Sequence, residues 1–174
     1  MTATSTRYTP IMEALLALLQ TRCGTTFKTY SRRMVMWEQL AQIQQSGTSL
    51  IRQPALFLFD GVITGDSGTI RYERGALSVP AKREMQKSIV IYAQLPERPN
   101  ASGVDATTAG GDVFYPLIEA IESALEPGVE PQGVLTLGGL VFHCWIEGVS
   151  YMFTGDIDPE GQGMAIVPVK LMLP

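Results

Sequence analysis

Gln132–Tyr151 reads QGVLTLGGLVFHCWIEGVSY, and its pattern decides whether the chain is built around chemistry or around architecture. The segment holds the only histidine, His143, one of two cysteines, Cys144, and one of two tryptophans, Trp145. Leu140, Phe142, Cys144 and Ile146 alternate with Val141, His143, Trp145 and Glu147, the period of a β-strand with an apolar face. After Gly148 the apolar residues Val149, Tyr151 and Phe153 fall on odd positions, so a bulge is expected at the glycine. Neighbours along a strand point to opposite faces, so His143 and Cys144 cannot converge on one metal. With no second histidine, a catalytic triad lacks a part. The segment predicts a structural strand, His143 included.

The rest of the composition agrees with a folded, non-catalytic chain. It has 174 residues, 45 % hydrophobic and 17 % charged, enough for one domain spanning 1–174 with a real core. So low a charged fraction fits a surface partly covered by other subunits. The net charge of −4 argues against a general nucleic-acid binder. Cys23 and Cys144 are too few and too distant for a disulfide framework, so a reduced cytoplasmic chain is expected. MTATSTRYTP carries no apolar signal region, and no apolar run approaches the roughly 18 residues of a membrane span.

Working outward, Ile11, Leu15, Leu18 and Leu19 predict a first helix capped by Thr9 and Pro10 and ended by Gly24. Thr25–Ser31 reads as a short strand, and Met36–Gln45, with Trp37, Leu40 and Ile43, as a second helix. Ala55–Ile63 is an apolar run expected to be a strand buried on both faces. Thr64–Lys87, punctuated by Gly65, Gly68, Gly75 and Pro80, predicts a β-hairpin arm. Ser88–Leu95 reads as a strand and Pro96–Gly111 as a loop. Asp112 is the expected cap of the clearest helix, where Phe114, Leu117, Ile118, Ile121 and Leu125 share a face and Pro127-Gly128 gives the stop. Val134–Leu137, Leu140–Phe153 and Met164–Leu173 complete the strands, with Pro168 marking an edge or a bulge. The expected class is α+β, a mainly antiparallel sheet packed on two principal helices with an extended hairpin arm.

No segment predicts an active site. Asp156, Asp158, Glu160 and Gly161 lie in a turn that fails the calcium-loop pattern, because Pro159 interrupts it and no closing glutamate follows. Gly138-Gly139 lacks the Lys and Ser/Thr of a phosphate loop. Arg32-Arg33 and Arg71, Arg74, Lys82, Arg83 and Lys87 are basic clusters that fit a solvated surface or a protein interface. Catalytic, cofactor-binding and metal-binding residues are all expected to be none.

The order of segments carries a resemblance. Phe27-Lys28-Thr29, Ser31-Arg32-Arg33, Trp37, Gln53-Pro54-Ala55-Leu56-Phe57 and Ile91-Tyr92-Ala93 form one half. An amphipathic helix, Thr136–Val141, Cys144-Trp145-Ile146-Glu147-Gly148 and Ala165-Ile166-Val167-Pro168-Val169 form the other. Together they resemble the tail terminators of long-tailed bacteriophages, over nearly the whole chain. The resemblance implies a virion structural protein with no enzyme activity. Such a protein forms a homohexameric ring on the head-proximal end of the tail tube, ends tube polymerisation and docks the head–tail connector protein. The implied partners are therefore the chain itself, the tail tube protein and the connector, with genomic DNA crossing the lumen without specific binding and no membrane. Arg32, Arg33, Trp37, Arg71, Tyr72, Arg74 and Arg83 are the expected interface residues. Competing expectations are a head-completion or connector ring subunit, and a small cytoplasmic α+β ligand-binding domain, which would need convergent polar groups in an apolar pocket.

Overall fold

The computed structural model describes residues 7–33, 52–59, 70–72, 83–95, 106–127, 133–148, 150–153 and 162–174. The expected Met36–Gln45 helix, with Trp37, lies outside them, as do the acidic turn 156–161 and the hairpin tip with Arg74 and Lys82.

Two twelve-residue strands form the spine. β4 (Arg83–Gln94) and β7 (Gln162–Leu173) pair antiparallel along their full length, from Arg83 opposite Leu173 to Gln94 opposite Gln162. The other strands attach to this pair. β1 (Thr29–Ser31) lies parallel to β2 (Ala55–Phe59), which runs antiparallel to β4. β3 (Ile70–Tyr72) continues along the same side of β4 beyond β2. β5 (His143–Ile146) and β6 (Tyr151–Phe153) share the far side of β7. Among the described residues seven strands form one sheet, of order β1-β2-β4-β7-β5 with β3 and β6 attached to β4 and β7, and β1–β2 is its one parallel pair. With helices α1 (Tyr8–Cys23) and α2 (Ala106–Leu125), the class is α+β and the sheet mainly antiparallel, as expected.

Period-two alternation sorts the core. On β7 the odd residues Ala165, Val167, Val169, Leu171 and Leu173 are buried under the helices, together with Met85, Ile89, Ile91 and Ala93 of β4. Ile11, Met12, Leu15 and Leu19 of α1 and Phe114, Leu117, Ile118 and Ile121 of α2 meet them. The opposite sheet face is also buried at its middle, where Ala55, Phe57, Val90 and Tyr92 pack together without a residue from either helix. Phe57 meets Tyr92 edge to face at 5.6 Å. β2 is therefore buried on both sides, as its unbroken apolar run requires.

The helices are tied at their C-terminal ends. Arg22 donates to the carbonyls of Ala124 and Glu126 at 3.0 and 2.8 Å, a cation satisfying the last carbonyls of α2. Cys23 donates to Ala120 at 3.5 Å. Gly24, at φ 54°, ends α1 and sends its N–H to Gln20, the role glycine plays at a helix end.

Several boundaries differ from the sequence pattern. α1 begins at Tyr8 after Arg7, which makes no side-chain cap bond, so Thr9 and Pro10 lie in its first turn. Thr25 and Thr26 belong to a short 3-10 turn, and β1 starts only at Thr29. α2 begins at Ala106 rather than Asp112 and carries Pro116 within it. Gly110 and Gly111, read as loop residues, lie inside it. β4 starts at Arg83, inside the expected arm, because it has β7 to pair with down to Leu173. Val134–Thr136 forms no strand.

The expected Leu140–Phe153 strand is two strands. β5 pairs Ile146 with Val169 and β6 pairs Tyr151 with Ile166. Five steps on one side span only three on the other, so two residues are extra. A double insertion preserves parity, and Met152 of β6 packs on the same core as Cys144 and Ile146. The odd parity expected after Gly148 is therefore wrong, although the glycine does mark the break at φ 113°. Pro168 faces that break and accepts from the N–H of Glu147 at 3.3 Å. It has no N–H to return. It sits in a central strand, so the bulge half of the expectation holds and the edge half does not.

Gly163 is a point of close approach between α2 and the sheet. A Cβ there would stand 2.6 Å from Phe114 Cε2 and 3.0 Å from Leu95 Cδ2, and the Phe114 ring is fully buried. Gly163→Ala is expected to lower the unfolding free energy by about 1–3 kcal/mol, as overpacking does. An unchanged urea midpoint at unchanged m-value would show that α2 rides higher on the sheet than described.

Candidate interaction surface

Three features occupy the end of the sheet where β7 finishes. The first is a polar brace on the outer face. Lys170 of β7 lies within 2.8 Å of Glu84 Oε2 on β4 and 3.0 Å of Glu147 Oε1 just beyond β5. Trp145 Nε1 donates to the other Glu147 oxygen at 2.8 Å. The ammonium also stands 5.7 Å from the centre of the indole ring, within range of a cation–π attraction. His143 stacks on Trp145, with ring centres 4.8 Å and planes 18° apart.

Strand register builds this cluster. Trp145 faces Lys170, His143 faces Met172, and Met172 faces Glu84. Their side chains therefore share the face turned away from the helices, where directly opposed and diagonal neighbours can touch. The Lys170 side chain is only 15 % exposed and that of Glu84 19 %. The hydrogen bond to Glu84, opposed by partial desolvation and assisted by Glu147, raises the Lys170 pKa above its ordinary value. The lysine is held as a cation that ties three strands together.

The second feature is a strained corner. Leu137, Gly138 and Gly139 have φ of 51°, 70° and 86°. Only the leucine lacks glycine's freedom there, at a cost of about 1–2 kcal/mol. Its side chain is buried in the core. The N–H groups of Gly139 and Val141 both reach the Thr136 carbonyl, at 3.2 and 3.1 Å. The Leu135 N–H donates to His143 Nδ1 at 3.1 Å, which puts the neutral ring's proton on Nε2. His143 is thus a fastener between β5 and the preceding loop. Leu140 and Phe142 stand on this corner, 37 % and 60 % exposed.

The third feature is the base of the arm. β3 and β4 form an antiparallel hairpin in which Tyr72 faces Arg83 and Arg71 faces Glu84. Of the expected interface residues, Tyr72 and Arg83 are therefore paired in register here, and Arg71 sits next along β3 at a position of the opposite face. Arg32 and Arg33 do not join them. They follow β1 on the far side of β2, and Ser31 aligns through Phe57 with Val90, seven residues along β4 from Arg83. At about 3.3 Å per residue this is more than 20 Å along the strand direction. Arg32 instead lies 3.9 Å from the exposed Glu13, a surface pair of small energetic weight. Trp37 and Arg74 lie outside the described residues. Sequence reasoning missed Glu84, Glu147 and Lys170, which only the register brings together, and the exposed corner.

The two thiols are not reactive groups. Burial pushes Cys23 up to about 11 and Cys144 up to about 12, so neither forms thiolate near neutral pH. Among the described residues no three His, Cys, Asp or Glu groups gather to hold a metal ion, and no helix is long and apolar enough to cross a membrane. The chain matches no protein-family profile and no curated protein sequence. What the structure defines is an α+β protein with a braced sheet end.

Lys170→Met removes the shared cation and leaves Glu84 and Glu147 without it. The expected loss is about 1–3 kcal/mol, between the values of exposed and buried pairs. Because folding raises the Lys170 pKa, its contribution is complete below the ordinary lysine value near 10.4. It fades as pH climbs through the raised value. Urea midpoints of wild type and K170M should differ at pH 7 and converge only above about pH 10.4. No difference at pH 7 would remove the brace from the account.

Proposed function

We propose that this chain is a ring-forming structural protein of a phage virion, a tail terminator that caps the head-proximal end of the tail tube. The observation that carries the reading is the hairpin β3–β4, whose second strand is also the central strand of the sheet. β3 is thereby paired directly onto the central strand of the core. Glu84, opposite Arg71 at its base, is gripped by Lys170. A ring subunit needs firmly held contact elements, together with a heterologous contact that closes on itself.

Other features support the same reading. The order of segments from Phe27 to Val169 resembles the tail terminators. The low charged fraction of 17 % suits a chain that covers much of its surface with copies of itself. The net charge of −4 disfavours sticking of DNA crossing a lumen. Tyr and Arg at the arm base, Arg71, Tyr72 and Arg83, are residue types that anchor protein contacts. The tail tube protein and the head–tail connector are the partners this role requires.

The purified chain should form closed rings, with six copies expected, in native mass spectrometry and negative-stain images at virion-like salt. Monomers alone at high concentration would refute the proposal. The triple substitution Arg71→Ala, Tyr72→Ala, Arg74→Ala should leave the circular dichroism melt unchanged and lower the ring fraction at least tenfold. Wild-type rings from that variant would take the arm out of the contact.

A further inference from the structure

His143 is the only histidine of the chain, and the fold uses it in one protonation state. Its Nδ1 accepts the Leu135 N–H at 3.1 Å. A ring nitrogen accepts such a bond through a free lone pair, and an imidazolium, with hydrogen on both nitrogens, has none. The donor is no surface group. Leu135 is fully buried, so its N–H, deprived of the ring, would be left unpaired away from water. The ring is only half-buried, which keeps it within reach of solvent protons.

The segment held by this bond is 133–142, GVLTLGGLVF. Leu135, Leu137 and Val141 lodge in the core, and Leu137 keeps its left-handed backbone at φ 51°. The bonds from Gly139 and Val141 to the Thr136 carbonyl close the segment on itself, and the Phe142 N–H ties its end to Met172. The bond between Leu135 and His143 draws its start onto β5. No side chain of the segment is ionisable. On the ring's face of the sheet the charged groups are Lys170 of β7, Glu84 of β4 and Glu147 just beyond β5, and Lys170 engages both carboxylates. Trp145, stacked on the ring, is neutral. The helices pack on the other face. Histidine is the side chain whose ordinary charge change falls between about pH 5 and 8.

We propose that His143 is a proton-operated latch. Neutral, it holds residues 133–142 against β5; protonated, it releases the Leu135 N–H and loosens the segment together with the Leu140–Phe142 corner. The latch stands apart from the ring reading and needs no second copy. The closed segment requires the neutral ring and the opened one does not, so opening takes up a proton. Holding is complete above the ordinary histidine value near 6.5 and weakens as pH falls below it. The left-handed Leu137 backbone favours release once the tie is gone.

Hydrogen exchange of the full chain tests it, followed by mass spectrometry from about pH 7.5 down to about pH 5 and expressed as protection factors, so that the intrinsic pH dependence of exchange divides out. Peptides covering 133–142 should lose protection about fivefold or more, centred in the histidine range, while β4 and β7 hold theirs within about twofold. His143→Asn puts an amide oxygen near the place of Nδ1 and takes up no proton, so its segment should stay protected throughout. His143→Phe keeps a ring on Trp145 without an acceptor, so its segment should be weakly protected throughout. Constant protection of the wild-type segment would overturn the latch. A step centred near about 4.3 would do so too, by assigning the change to Glu84 or Glu147. Equal loss across β4 and β7 would replace the latch by global unfolding. The wild-type profile decides these outcomes even where a variant fails to fold.

Discussion

The pairing of β4 with β7 is the constraint on which the rest depends. Twelve consecutive residue pairs fix one register, and a slip of one residue would turn every apolar side chain of β7 to the wrong face. Leu171 and Val169 lie under the helices because Met85 and Lys87 stand opposite them. Lys170 reaches Glu84 for the same reason. β3 inherits its direction from β4, and β5 and β6 inherit theirs from β7. Two helices, a hairpin and two short strands all take their places from one ladder.

Both faces of that ladder do different work along its length. Near the β2 side its outer face is apolar and buried, with Val90 and Tyr92 against Ala55 and Phe57. Toward Arg83 it becomes charged, with Glu84 and Lys170. The change falls along β4, between Ser88 and Glu84, where β2 ends and β3 takes over. One strand thus serves as apolar core at one end and carries part of a charged brace at the other.

How much of this the sequence reveals depends on the range of the interaction. Period-two runs such as Ala165–Leu173 and the stripe from Phe114 to Leu125 are local, and they show as strand and helix. The α+β class follows from them. His143, Cys144 and Trp145 draw the eye as rare residues, and alternation alone predicts that they are structural. Their partners are hidden. Glu84 and Lys170 are more than eighty residues apart in the chain, and only register makes them neighbours. Boundaries fail where glycine misleads. Gly110-Gly111 looks like loop but lies in α2, and Gly148 looks like a one-residue slip where the ladder absorbs two. The exposed corner at Leu140 was hidden by the same alternation that identified β5, since a left-handed leucine carries no mark in sequence.

The gap between β5 and β6 has a further consequence. A sheet that ends in one long, straight strand offers a row of free backbone groups to any other chain. Here Pro168 withholds an N–H and the two inserted residues split the outer side of β7 into segments of four and three residues. Neither is long enough to template a foreign strand in register. Edge-to-edge pairing is also a way of joining sheets that never stops. The interrupted side of β7 closes off open-ended pairing along that side.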